Sequence, residues 1–273
     1  TFWSPDGRKL AFYRKDESMV AEYPLVETST RIATVKNTRY PMAGETSEQV
    51  TLGIFDLEGR QTVFLNTGEP SDQYITSVTW GPEGRYIYAG LLNRGQDHLR
   101  INRYDAATGA LVATLYEEKH DKYVEPEFPL YFLPGNPDQF VFLSERDGFQ
   151  HLYLYEIEKG RTRQLTSGEW VVTGFEGFDP SGKTAYFMAT RESPLEEHLY
   201  SVQLRSGKLS KLTYAPGTHG VVLRDDKKYF FDVYSNVDVA REYLLLDGNG
   251  SLVEVLLENQ DPLEGYRIGE TRL

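Results

Sequence analysis

The chain has 273 residues, with 29 Lys and Arg against 41 Asp and Glu, a net charge of −12 and no cysteine. That balance argues against a nucleic-acid binder, which needs a basic footprint. The lack of cysteine excludes disulfides, thiol chemistry and Cys-based metal sites. No apolar run approaches the length of a membrane-spanning helix, and the 19 Tyr and 14 Phe, among many Gly and Asp turns, point to numerous short strands.

The chain opens at Thr1-Phe2-Trp3, inside a strand pattern and without an initiator Met or a signal peptide. This predicts a piece excised from a longer protein. Phe2 to Tyr13 reads as strand, turn, strand around Pro5-Asp6-Gly7. The turn has a mechanism: Pro presets its φ, Asp bonds its own backbone and Gly takes a positive φ. The unit recurs at Val78 to Tyr88 and at Phe175 to Phe187, with looser copies at Tyr131 to Phe142 and Val221 to Phe231.

A second hairpin follows each copy, at Val50 to Leu65, Leu99 to Leu115, Leu152 to Leu165, Leu199 to Leu212 and Tyr243 to Leu256. In His151-Leu152-Tyr153-Leu154-Tyr155 the leucines and tyrosines alternate with the period of a strand. Two hairpins make a four-stranded antiparallel unit. The steps from Pro5 to Pro82, Pro134, Pro180 and Asp225 are 77, 52, 46 and 45 residues, and all but the first suit a β-propeller blade. The prediction is therefore an all-β fold of about five blades, at 1–66, 76–116, 129–166, 174–213 and 220–257, with 258–273 a linker or strand leading onward. The long first step locates an insertion at 16–48. It reads as a surface loop or as an interaction arm, strand-like over Thr30 to Val35 and broken at Tyr23-Pro24 and Tyr40-Pro41.

Chemistry-bearing motifs are scarce. There is no Gly-x-Ser-x-Gly elbow, His-Glu-x-x-His, phosphate loop or dinucleotide fingerprint. His98, His151 and His198 each begin the third strand of a blade and each precede Leu, which is what a structural repeat predicts. Glu145-Arg146-Asp147 reads as a solvated turn or a charge cluster. Glu117, Glu118, Asp121 and Glu125, with Lys119 and Lys122, lie in a connection between blades, as a plain loop or a ligand-facing one. Trp3, Trp80 and Trp170 are expected between blades. No cofactor and no metal site is expected.

Specific stretches go further. Trp3-Ser4-Pro5-Asp6-Gly7, Tyr40-Pro41-Met42-Ala43-Gly44-Glu45, Leu92-Asn93-Arg94-Gly95-Gln96-Asp97-His98-Leu99 and Ser144-Glu145-Arg146-Asp147-Gly148-Phe149-Gln150-His151-Leu152-Tyr153 resemble the dipeptidyl peptidase IV family in order and spacing over essentially the whole chain. The cysteine-free form is similar to bacterial members. The resemblance implies the later blades of an eight-bladed N-terminal propeller. A C-terminal α/β-hydrolase domain would follow, with a Ser, Asp and His triad that removes dipeptides ending in Pro or Ala from peptide N-termini. The triad, the paired glutamates that hold the substrate's amino group and the binding Arg would all lie outside the chain, so no catalytic residue is expected within it.

By the same resemblance the loop at Tyr123, Val124 and Glu125 borders the substrate pocket. The arm, with Tyr23, Tyr40 and Pro41, meets a partner subunit and approaches the active site. A homodimeric parent, a peptide substrate and an extracytoplasmic (periplasmic or secreted) bacterial location follow as implications. The alternative from a different class is a stand-alone propeller scaffold for protein partners. A propeller enzyme with its own site would need a convergent acid or metal cluster, which the sequence does not offer.

Overall fold

The computed structural model describes residues 1–257, 259, 264–267 and 269. Most of the 258–273 stretch expected to lead onward therefore lies outside the described residues. Among the described residues every regular element is a strand, and the strands form five four-stranded antiparallel sheets, the blades of a propeller, plus one two-stranded ribbon.

The first blade pairs β1 (Phe2–Trp3), β2 (Lys9–Asp16), β5 (Gln49–Asp56) and β6 (Gln61–Phe64). The ribbon β3 (Glu22–Glu27) and β4 (Thr34–Arg39) is inserted between β2 and β5. The second blade is a meander of β7 (Gln73–Trp80), β8 (Tyr86–Asn93), β9 (His98–Asp105) and β10 (Leu111–Lys119). The third runs through β11 (Tyr131–Leu133), β12 (Asn136–Ser144), β13 (His151–Glu156) and β14 (Arg161–Gln164). The fourth runs through β15 (Val172–Phe178), β16 (Thr184–Ala189), β17 (His198–Gln203) and β18 (Leu209–Lys211). The fifth comprises β19 (Thr218–Leu223), β20 (Tyr229–Ser235), β21 (Glu242–Asp247) and β22 (Leu252–Leu257). The chain divides into two units, Thr1–Leu130 and Tyr131–Leu273.

The predicted turns close as their chemistry requires. Gly7, Gly84 and Gly182 have φ of +68°, +67° and +64°, and in the fifth blade Lys227 takes the same left-handed position at +58°. In the third blade the turn is only Pro134-Gly135, so Asn136 already belongs to β12.

Each unit buries its apolar faces between adjacent blades. In the first, Ala11, Leu52, Ile54, Ile87, Ala89 and Tyr104 form one core. Trp80 closes it by donating from its indole to Phe2 O at 3.0 Å. In the second, Leu152, Val172, Phe187, Tyr200 and Val202 join the third and fourth blades, and Trp170 stacks on Phe187 with ring centroids 6.3 Å apart. Trp3 differs from expectation: it is 58% exposed. It holds the repeat position of Trp80, but no blade precedes it among the described residues, so its indole has no sheet to lie against.

The inserted arm also departs from the sequence pattern in two ways. Thr30 to Ala33 form the tip rather than strand, with Thr30 Oγ1 donating to Ile32 O at 2.7 Å. Pro24 does not break its strand but sits inside β3 opposite Asn37. In a two-stranded ribbon both strands are edges, so a residue without an N–H costs no ladder bond on its free side.

Candidate functional site

The predicted site residues fall in the first unit, in two places. The first is the connection after β10. Its foundation is the turn Asn93 to His98, where Gln96 adopts φ +57°. The Asn93 side chain folds this turn on itself, accepting from Asp97 N and His98 N at 3.0 Å each and donating to Asp97 Oδ1 at 2.7 Å. The turn thereby presents two carbonyls to the connection. His120 N donates to Asp97 O at 3.0 Å and Val124 N to Gln96 O at 2.7 Å.

The opposite wall is β7. Its register shifts between Thr76 and Thr79, and Ser77 takes φ +51°. Such a bulge re-aims neighbouring side chains. Here Thr76 Oγ1 donates to Pro126 O at 2.9 Å, and Thr79 Oγ1 accepts from Leu130 N at 3.0 Å.

The connection is thus pinned at His120, Val124, Pro126 and Leu130. Val124 and Leu130 are buried, while Tyr123, with 52% of its surface exposed, and Glu125 face solvent. The Tyr123 ring lies 6.4 Å from that of His120. A stapled loop holding out one phenol and one carboxylate can stack on an apolar group and pair with a cation.

Glu117 Oε2 lies 2.7 Å from His98 Nε2, at the foot of the loop. That hydrogen bond, the largest influence on it, holds Glu117 below the usual carboxylate range. Arg94 donates to the Tyr74 hydroxyl at 2.6 Å, its guanidinium 5.4 Å from that ring's centroid, and lies 3.9 Å from Asp72. Gln96, Thr76 and Thr79 support the loop, yet no sequence pattern marks them for that role. For Gln96 the signal is the Asn93-to-Asp97 turn, legible as a turn but not as the partner of residue 124.

The second place is the arm. Arg39 fastens its base, donating from Nη1 to Val20 O at 2.6 Å and Ser18 O at 3.2 Å, and Tyr40 N donates to Ala21 O at 3.1 Å. The Tyr23 and Tyr40 rings approach to 6.2 Å. With Leu25, Thr38 and Met42 they line an open cleft of about 380 Å³, and Pro41 lies half-buried next to Tyr40. Leu25, Val26, Ile32 and Val35 are all exposed. The arm therefore carries more uncovered apolar surface than a solvated loop needs.

The histidines act within the repeats. His151 and His198 are fully buried, and each closes the same clasp. Thr166 Oγ1 accepts from Leu152 N at 3.0 Å and lies 3.1 Å from His151 Nδ1, while His151 Nε2 donates to Gly168 O at 2.9 Å. Thr213 Oγ1 accepts from Leu199 N at 3.0 Å and lies 3.1 Å from His198 Nδ1, and His198 Nε2 faces Glu196 Oε2 at 2.9 Å. In each clasp Nε2 faces an oxygen acceptor and Nδ1 meets the threonine hydroxyl, which can donate or accept. Burial lowers the His198 pKa.

His219 differs. Its Nδ1 lies 2.8 Å from Asp232 Oδ2 and its Nε2 lies 2.8 Å from Ala215 O. Both nitrogens face oxygen atoms, and the ring and the carboxylate are buried together, each side chain about 1% exposed.

In the predicted charge cluster, Arg146 Nε donates to Ser144 Oγ at 2.9 Å, with its guanidinium over Phe142 and Tyr153. Asp147 accepts from Gln164. Among the described residues no group of three or more His, Asp or Glu is placed to hold a metal ion, and no helix is long and apolar enough to cross a membrane.

Against known proteins, residues 1–241 match the profile of the dipeptidyl peptidase IV (DPP IV) N-terminal region. The dipeptidyl-aminopeptidase B of Aspergillus niger is 31% identical over 239 residues, which is 78% of this chain and 26% of that protein. A Bacteroides ovatus protein described as a dipeptidyl aminopeptidase IV superposes with a TM-score of 0.90 at 38% identity, over 97% of this chain and 40% of its own. The dipeptidyl peptidase 4 of Porphyromonas gingivalis superposes with a TM-score of 0.83 at 27% identity, over 94% and 36%. The chain spans about a quarter of the length of the curated relatives it matches.

Proposed function

The chain belongs to the dipeptidyl peptidase IV family, through that family's N-terminal region, and from this premise we propose that it is the non-catalytic propeller portion of a serine-type dipeptidyl peptidase. The blades at 1–66, 76–116, 129–166, 174–213 and 220–257 form part of an eight-bladed propeller. It gates an α/β-hydrolase domain of the same parent, where serine, histidine and aspartate perform acyl transfer on a peptide. The propeller limits entry and fixes the peptide's amino end, so that cleavage releases Xaa-Pro or Xaa-Ala dipeptides.

The observation that carries this reading is the stapled connection. Its backbone is pinned on both walls, yet Tyr123 and Glu125 face outward. A carboxylate held on a rigid loop suits the ammonium of a peptide N-terminus, and a tyrosine beside it suits an apolar first side chain. The arm, with Tyr23, Tyr40 and Pro41, supplies an apolar surface for a second subunit. Catalysis takes place outside the cytoplasm.

The test is hydrolysis of a Gly-Pro chromogenic amide. The 273-residue chain alone gives no turnover, and the parent protein does. In the parent, Glu125→Gln raises KM several-fold with kcat little changed, the signature of lost ground-state binding. A correctly folded parent with no activity would refute the peptidase reading. An unaltered KM would remove Glu125 from the pocket. Sedimentation of the parent with Tyr40→Asp tests the arm: a dimer that persists at wild-type strength would sink it.

A further inference from the structure

The turn end of the third and fourth blades holds a groove that the peptidase reading leaves without a task. It is open to solvent and has a volume of about 650 Å³. Leu133, Leu154 and Leu204, all buried, form its apolar floor. Arg163, Lys183 and Arg205 stand around it. These three cations come from β14 and from two different turns of the fourth blade, so no local sequence run produces the cluster.

The groove is built rather than collapsed. Arg163 Nη2 donates to Leu204 O, which locks one edge of its guanidinium across the blade boundary at the groove's lining. Leu204 N in turn donates to Lys183 O at 2.8 Å, tying the turn that carries Arg205 to the turn that carries Lys183. Gly182, at φ +64°, lets that turn lie against the third blade: a Cβ there would meet Pro134 O at 3.3 Å.

One carboxylate, Asp179, lies in the lining, but it is already committed. It accepts from the Ser181 hydroxyl, from Lys183 N at 2.8 Å and from Thr184 N at 2.6 Å. Burial alone would raise its pKa. These donors outweigh burial and hold it below the usual carboxylate range. Its charge serves its own turn, and none of the three cations forms an ion pair with it. Lys183 and Arg205 are exposed at the rim and Arg163 is half-buried, so the lining offers three positive charges above an apolar floor in a chain of net charge −12.

We infer that this groove binds a small polyanion: a compound with two or more phosphate or carboxylate charges, met by Arg163, Lys183 and Arg205, and an apolar part that lies on the three leucines. The inference is independent of the peptidase reading, because every residue it uses lies in the second unit and the Tyr123 loop in the first.

The test is calorimetric titration of the 273-residue chain, its strand signal verified by circular dichroism, with pyrophosphate and with citrate at low ionic strength. Saturable binding at one site is expected, weakened about tenfold for each cation removed in Lys183→Gln and Arg205→Gln, as expected for charge-assisted hydrogen bonds. Binding of pyrophosphate alone identifies a phosphate ligand, and binding of citrate alone a carboxylate. Binding of both supports recognition by charge and shape; all three outcomes support the site. No saturable binding of either probe overturns the inference, as does undiminished binding by a folded double variant. Should the variants fail to fold, amide shifts of the wild-type chain on adding pyrophosphate decide the matter. Shifts centred on Ser181 to Thr184 and Leu204 to Arg205 support the site, and shifts confined elsewhere overturn it.

Discussion

Replacing Thr213 by valine tests the clasp that recurs in the third and fourth blades. The substitution keeps the shape and deletes one hydroxyl. In the folded chain that hydroxyl serves two buried groups, Leu199 N at 3.0 Å and His198 Nδ1 at 3.1 Å, and both Thr213 and His198 are fully buried. Water cannot replace it. Each orphaned group costs about 1–3 kcal/mol, and the added methyl returns about 0.8 kcal/mol of apolar burial. The net loss is about 1–5 kcal/mol, centred on about 3 kcal/mol, a large part of the roughly 5–15 kcal/mol that holds a domain folded.

The assay is urea unfolding followed by circular dichroism. With a slope of about 3 kcal/mol/M the midpoint falls by about 1 M. Thr213→Ser keeps the hydroxyl and removes only the methyl, so it loses about 1 kcal/mol. Thr166→Val repeats the experiment in the third blade, where Leu152 N and His151 Nδ1 are orphaned in the same way. If the valine variants prove as stable as the serine variant, the hydroxyl is not what closes the clasp and the reasoning fails.

Asp232→Asn disrupts the buried hydrogen bond to the His219 ring, which predicts a loss of about 1–3 kcal/mol, since a buried polar group left poorly paired is costly. A chemical unfolding midpoint within error of wild type would contradict the pair. The same turn position responds differently in two blades. At Gly109, φ +72°, an alanine Cβ would lie 2.2 Å from Phe64 O, whereas at Gly207, φ +71°, it meets nothing. Gly207→Ala therefore costs only the left-handed backbone, about 1 kcal/mol. Gly109→Ala costs at least about 2 kcal/mol more, because the close approach of two blades must open. Equal losses in thermal melts would refute the distinction. Burial lowers the His198 pKa in the folded chain. Its stabilising contribution is therefore present above the unfolded value of about 6.5 and is lost as pH falls below that, through the lowered folded value. Stability of the wild type should drop more steeply from pH 7 to pH 5 than that of His198→Gln, and parallel curves would exclude this ring as a source of the drop.

Much of the architecture is written locally. Pro5-Asp6-Gly7, Pro82-Glu83-Gly84 and Pro180-Ser181-Gly182 announce their turns because a positive φ needs glycine. The alternation in His151 to Tyr155 announces a strand whose two faces both pack. Repetition of these units identifies blades, since a turn and an alternation depend only on residues a few positions apart. The resemblance of Ser144 to Tyr153 and Leu92 to Leu99 to one family was likewise present in order and spacing.

What the chain order conceals is decided by register and by packing between blades. That Val124 turns inward while Tyr123 and Glu125 face out depends on one hydrogen bond to Gln96 O, 28 residues earlier in the chain. That Pro24 is tolerated within a strand depends on β3 having a free edge. Trp3 and Trp80 share a repeat position, but Trp3 is 58% exposed while Trp80 is buried and donates to Phe2 O of the first blade. Arg163, Lys183 and Arg205 surround one groove because two blades pack side by side. By itself the sequence determined the turns, the strands and the family, since these follow from short-range backbone preference and local side-chain pattern. Only the tertiary structure decided which side chains converge, because each blade's neighbours, and not its own residues, set what its faces and turns meet.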